Sequence, residues 1–141
     1  MDKSQIKGLL NEQRFRLTTE RELLLDLFAS SSSMLTPSQL YELAGQRNIN
    51  IGLTTVYRLL EVLTKIGVAT PFLVEGTIFY SFCGCEHHHH FVCISCHRVL
   101  NIHGDCPSFN VPEDFHVSSH RSDLFGTCPN CRPDTEMGCR H

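Results

Sequence analysis

At 141 residues with a formal net charge of −3, the chain has room for one domain or two small ones and lacks the basic excess common among nucleic-acid-binding domains. Its apolar runs, such as Leu23-Leu24-Leu25 and Leu59-Leu60, are too short to span a bilayer, and the charged stretch after Met1 is not a signal sequence. These features read as an intracellular, cytoplasmic protein without a membrane segment, in which eight cysteines suggest metal binding before disulfides.

Charge is unevenly spread. Residues 1–82 hold eight Lys/Arg and eight Asp/Glu, whereas 83–141 hold four and seven. Any DNA contact must therefore rest on a local basic surface. In the first half, Ile6, Leu9 and Leu10 recur at helical spacing over 3–13. Thr19 and Glu22 fit a capping box for a second helix that buries Leu23, Leu24, Leu27 and Phe28. Thr36-Pro37-Ser38-Gln39 opens a third helix, with Leu40, Leu43 and Ala44 inward. A fourth places Val56, Leu59, Leu60, Leu63 and Ile66 on one face and Thr55, Arg58, Glu61 and Lys65 on the other, and Gly67 stops it. Two β-rich runs around Glu75-Gly76 follow, which gives the element order of a winged helix-turn-helix.

The second half, 83–141, opens on Cys83-Gly-Cys-Glu-His-His-His-His-Phe-Val-Cys-Ile-Ser-Cys96, in which eight of fourteen residues are Cys or His. Phe91-Val92 and Val99–Ile102 read as strands, 115–120 alternates like one, and Leu124-Phe125 is apolar. Cys93-x-x-Cys96 and Cys128-x-x-Cys131 are two tight turns able to close a tetrahedral thiolate shell around structural zinc. The bland readings are free core cysteines or a redox pair. In a strand His88 and His90 point one way, and His87 and His89 the other, so the run serves two metal sites or is a solvated, weakly binding surface. Cys83, preferred over Cys85, supplies a thiolate beside the imidazoles and favours zinc over Fe(II) or Mn(II). There is no His-Glu-x-x-His run and no nucleophile motif, which argues against a metalloenzyme; a zinc-storage protein is the other class to weigh.

Gly52-Leu-Thr-Thr-Val-Tyr-Arg58, the hairpin, His87–Cys96, Thr18-x-x-Arg21 and Cys128-x-x-Cys131 resemble the Fur family of metal-responsive bacterial repressors. The resemblance implies an α+β protein: a winged-helix DNA-binding domain over 1–82 and a small α/β dimerisation domain with a four-cysteine zinc site over 83–141. It implies a homodimer on a palindromic double-stranded operator. Cys93, Cys96, Cys128 and Cys131 match the structural zinc ligands, and His88 and His90 match regulatory ligands. His87, His89 and His120 match ligands of a further site. Thr55, Tyr57 and Arg58 lie on the matching recognition helix, and Arg16 matches a basic residue used near the minor groove. Iron and peroxide sensors of the family carry a histidine before the third helix, where this chain has Met34. Zinc uptake regulators, the Zur branch, carry a cysteine at the end of the wing, as Cys83 does, so the regulatory metal is expected to be zinc, with Fe(II) or Mn(II) as alternatives. Two departures stand out: His97 replaces the usual glycine after the first Cys pair, and 103–114 is proline-containing where a helix is usual. The acidic ligand of the further site has no clear counterpart. Cys85, Glu86, His103 and Cys106 are candidates for a fourth regulatory ligand.

Overall fold

The computed structural model describes residues 2–83, 89–106 and 108–132, in two units, Met1–Glu86 and His87–His141. Cys83 therefore belongs with the first unit. Among the described residues no helix is long and apolar enough to cross a membrane.

Four helices, each started by local chemistry, build the first unit. Asp2 caps α1 (Lys3–Glu12) in a capping box with Gln5. The cap of α2 (Thr19–Ala29) is Thr18, whose hydroxyl accepts from Arg21 N, one residue earlier than the expected Thr19 box. Glu22 instead meets Lys3 Nζ at 2.7 Å on α1. The buried stripe also differs from the expected one: Leu24, Leu25 and Phe28 are buried, whereas Leu23 is 44% exposed. At α3 (Pro37–Gln46) the Thr36/Gln39 box and Pro37 hold as expected. α4 (Leu53–Lys65) buries Val56, Leu59, Leu60 and Leu63. These side chains join Ile6, Leu10, Phe15, Leu40 and Ala44 in one core, where a fully buried large aliphatic or aromatic side chain contributes on the order of 1.5–3 kcal/mol by leaving water.

The strands β1 (Ala69–Val74) and β2 (Thr77–Phe82) pair antiparallel with Val74 opposite Thr77. Glu75 and Gly76 both have positive φ, 50° and 81°, as a two-residue type I′ turn requires. Leu35, between α2 and α3, bridges Tyr80 through reciprocal bonds of 2.8 and 2.7 Å and gives the hairpin a third edge. The result is a winged helix-turn-helix with α4 as its most amphipathic helix.

The described elements of the second unit are strands and turns. β3 (His89–Cys93) is central, antiparallel to β4 (Val99–Ile102) and parallel to β5 (Asp123–Gly126). Contrary to the alternation of 115–120, that segment forms no strand and is exposed; pairing begins three residues further, at Asp123. No helix occurs among the described residues of this unit, so its part in the α+β fold is the sheet.

Candidate metal centre

The parallel pairing of β3 and β5 sets Cys93 opposite Gly126, so the two cysteine turns leave the sheet at the same end. Ile94 N donates to Gly126 O at 2.8 Å, continuing the ladder into the first turn. The first turn closes through His97 N to Cys93 O at 2.9 Å, the second through Cys131 N to Cys128 O at 3.0 Å. Consequently the Sγ atoms of Cys93, Cys96, Cys128 and Cys131 all lie within 4.8 Å of one another, with Cys96 and Cys128 at 3.8 Å. Four thiolates about 2.3 Å from a tetrahedral zinc stand roughly 3.8 Å apart, so this donor set fits zinc in both element and dimension. Among the described residues it is the one cluster of three or more His, Cys, Asp or Glu able to hold a metal.

Electrostatics favour thiolate at the buried end. Burial pushes the Cys93 thiol up, but the N–H groups of Cys96, Cys128 and Ser95 outweigh it and bring Cys93 down to about 6. Two of those donors stand 3.5 and 3.4 Å from the sulfur. Cys128 is likewise lowered: burial opposes, but the Cys131 thiol and the amides of Asn130 and Cys131 prevail. Cys131, hydrogen-bonded to the Cys128 sulfur and partly desolvated, is pushed up to about 12.

The histidine run divides. His87 and His88 lie outside the described residues, as do Cys85 and Glu86. His89 and His90 are both buried on β3. His90 Nδ1 meets Asp123 Oδ1 at 3.0 Å. The His89 ring lies 6.5 Å from that of exposed His120, so two of the three residues matched to a further site are neighbours. Among the described residues no third Cys, His, Asp or Glu joins them as a metal cluster. Cys83 is half-buried at the end of β2, where its amide donates to Val68 O at 2.6 Å. His103 and Cys106 are exposed.

Arg16, Tyr57 and Arg58 are exposed, and Thr55 is half-buried. Phe15 links the arginines: its buried ring has the Arg21 guanidinium 4.9 Å and the Arg58 guanidinium 6.0 Å from its centroid. Arg21 also donates to Arg16 O at 2.9 Å. The guanidinia of Arg21 and Arg58 thus share one aromatic ring, and the backbone of Arg16 is tied to the first of them, which places local positive charge within a half of zero net charge. On the same helix as Arg58, Tyr57 shares an open cleft of roughly 530 Å³ with the start of α3 and the wing residues Thr77 and Ile78.

The family model described as the Ferric uptake regulator family matches residues 12–120. This chain belongs to that family. It is 32% identical over 138 residues to a ferric uptake regulation protein of Bacillus subtilis, covering 90% of this chain and 92% of the relative. A ferric uptake regulation protein of Synechococcus elongatus is 29% identical, covering 92% and 94%. The peroxide-responsive repressor PerR of Staphylococcus epidermidis is 24% identical, covering 89% and 87%. The fold is similar to the Helicobacter pylori ferric uptake regulator, with a TM-score of 0.63, 19% identity and coverage of 94% and 93%. As a Fur-family protein it is a metal-responsive transcription regulator and not an enzyme, from a family of dimeric DNA-binding regulators.

Three residues that matter to the site carry little or no signal of their role in the sequence. Asp123 belongs to no motif, and only the parallel pairing of β3 with β5 brings it to His90. Leu35 braces the wing by a single bridge too short to leave a periodicity. His97 stands out only as a departure from glycine, and it takes a φ of 66°, the conformation glycine adopts freely.

Proposed function

We propose that this protein is a zinc-sensing repressor of metal uptake genes, with structural zinc at Cys93, Cys96, Cys128 and Cys131 and regulatory zinc held by Cys83, His88 and His90. What carries the reading is the pairing of a thiol at the end of the wing with a methionine where iron and peroxide sensors have a histidine. Cys83 directly follows β2, and Met34 is 1% exposed inside the first unit. A thiolate with imidazoles selects zinc over harder ions. His87, His89 and His120 are reserved for a further site.

Regulatory zinc lowers the free energy of the conformation in which the two recognition helices of a homodimer address successive major grooves of a palindromic operator. Arg16, Thr55, Tyr57 and Arg58 make the DNA contacts. Metal control requires a difference in affinity between the two states, since a ligand that favours neither shifts nothing. The relatives named as ferric uptake and peroxide-responsive regulators support a second reading, in which Fe(II) or Mn(II) fills the regulatory site. Operator binding titrated against free zinc, Fe(II) and Mn(II), for wild type and Cys83→Ser, separates them. Zinc-driven binding that is lost in Cys83→Ser supports the zinc sensor; an unchanged zinc response in the variant overturns it.

A further inference from the structure

His90 and Asp123 are register partners on the adjacent parallel strands β3 and β5. Nδ1 of the imidazole lies 3.0 Å from Asp123 Oδ1, and the two side chains are only 8% and 10% exposed. The other carboxylate oxygen, Oδ2, accepts from Arg121 Nε at 2.7 Å. Both oxygens of a nearly buried carboxylate are therefore engaged, one by an imidazole and one by a guanidinium that fixes the carboxylate plane.

We propose that Asp123 is a positioning residue for the regulatory metal: it accepts the Nδ1 proton of His90 and so commits the ring's Nε2 to metal binding. The inference rests on the reading of His90 as a regulatory ligand. A neutral imidazole has one N–H and one lone pair, and a metal bond needs the lone pair at the nitrogen that faces the site. The carboxylate is an acceptor only, so the tautomer that satisfies it carries the proton on Nδ1. The same bond fixes the ring about its χ2 axis and raises the basicity of Nε2. Arg121 is one step further out and acts on His90 only by holding Asp123 still. No motif of the histidine run reports this pair, because Asp123 follows His90 by 33 residues and meets it only through sheet pairing.

Full-length protein carrying zinc at the four cysteines tests the proposal, with the regulatory equivalent titrated against a competing chromophoric chelator. Asp123→Ala is expected to weaken regulatory zinc about 10–100-fold, the usual effect of losing such an orienting carboxylate. Long-range ¹H–¹⁵N spectra of histidine-labelled protein with zinc at the four cysteines and no regulatory metal are expected to show His90 as the Nδ1–H tautomer in wild type and as a mixture in the variant. A merely structural carboxylate would leave that tautomer signature unmoved. Arg121→Ala is expected to fall between the two in affinity. Wild-type zinc affinity in Asp123→Ala, with His90→Ala impaired, overturns the positioning role while His90 stays a ligand. Wild-type affinity in His90→Ala instead overturns the ligand reading itself. Should Asp123→Ala lose amide protection in β3, the near-isosteric Asp123→Asn decides: its amide can also donate to Nδ1 and favour the wrong tautomer. Weakened zinc binding with a changed His90 tautomer supports the proposal, and wild-type behaviour in both overturns it.

Discussion

The backbone amide of Cys128 donates to Cys93 Sγ at 3.4 Å, across 35 residues of chain. The second cysteine turn is thus docked on a sulfur of the first, and the stretch between them, 97–127, is closed into a loop at its base. Within that loop Phe109, Phe115 and Val117 are each more than half exposed, so apolar packing contributes little to holding it. Zinc bound at this junction would supply the missing constraint. Stripping it with a strong chelator is expected to erase amide hydrogen-exchange protection in β3–β5 while α4, packed in its own core, keeps its protection. Cys93→Ser should do the same without chelator. Persistent protection of β3 in zinc-free protein would show that the sheet stands without the metal.

Zinc uptake at these cysteines is expected to release protons and to weaken on acidification. At neutral pH Cys93, held to about 6, is already thiolate, whereas Cys131, pushed up to about 12, keeps its proton. Zinc binds thiolate, so Cys131 must give up that proton on binding. Without metal, the depressed Cys93 stabilises the fold above its unfolded value near 9, and that contribution is lost as pH falls through about 6. Competition titrations across that range should therefore show affinity falling with pH, and more steeply below about 6, where Cys93 also competes for protons. Calorimetry in buffers of different ionisation enthalpy counts the protons; a pH-independent affinity would mean that the thiols are not the ligands.

Most of the first unit is legible in the sequence because its signals are local. Thr36, Pro37 and Gln39 specify one helix start between themselves, and Glu75-Gly76 specifies a turn from backbone sterics alone. The α2 cap differs by one residue from the expected box because Thr18 and Thr19 are chemically equivalent cap candidates; the choice falls to Thr18, whose hydroxyl reaches Arg21 N while Glu22 turns to Lys3. The second unit is legible mainly at its cysteines and at the strands that flank their first turn. Residues 115–120 alternate in polarity but have no partner strand among the described residues, whereas Asp123–Gly126 pairs with β3 despite being four residues long. Pairing between distant strands is a tertiary property, and alternation does not encode it.

His97→Gly is expected to stabilise the second unit. His97 closes the first cysteine turn at a φ of 66°, a region that costs a residue with a Cβ roughly 1–2 kcal/mol. Its amide bond to Cys93 O at 2.9 Å is a backbone contact and survives the substitution. Greater flexibility of glycine in the unfolded chain offsets part of the relief, leaving a backbone gain on the order of 0.5 kcal/mol from which the loss of the histidine's own interactions is subtracted. Zinc-loaded thermal denaturation should show a small rise in midpoint. A fall would mean that the imidazole makes a contact worth more than the backbone strain.

Arg58→Ala and Tyr57→Ala should lower operator affinity without unfolding the first unit, since both side chains lie on the exposed face of α4. Losing a guanidinium that reads a base edge costs about 1–3 kcal/mol and relaxes preference at one position of the operator. Losing one that touches phosphate weakens all sequences alike and reduces the salt slope by about one unit. Arg58 also stands 6.0 Å from the Phe15 ring, so Arg58→Lys, which keeps the charge but not the planar fork, distinguishes the two roles. Fluorescence anisotropy at several salt concentrations gives both readouts. Unchanged affinity in Arg58→Ala would remove α4 as the reading helix.

Met34→His tests why this chain lacks the histidine of iron and peroxide sensors. Met34 is 1% exposed, immediately before Leu35 pairs with Tyr80 of the wing. An imidazole at that depth loses its water, a cost of about 1–3 kcal/mol unless a protein group takes the place of that water. The substitution is therefore expected to lower the denaturation midpoint of the first unit without adding Fe(II)-driven operator binding. The loop must first turn the side chain outward to present a ligand, and the Leu35–Tyr80 bridge opposes that movement. Denaturant unfolding followed by amide protection of α4, together with operator titrations in Fe(II), measures both effects. A variant that keeps wild-type stability and gains an Fe(II) response would show that residue 34 can reach the regulatory site, and the zinc assignment would then rest on Cys83 alone.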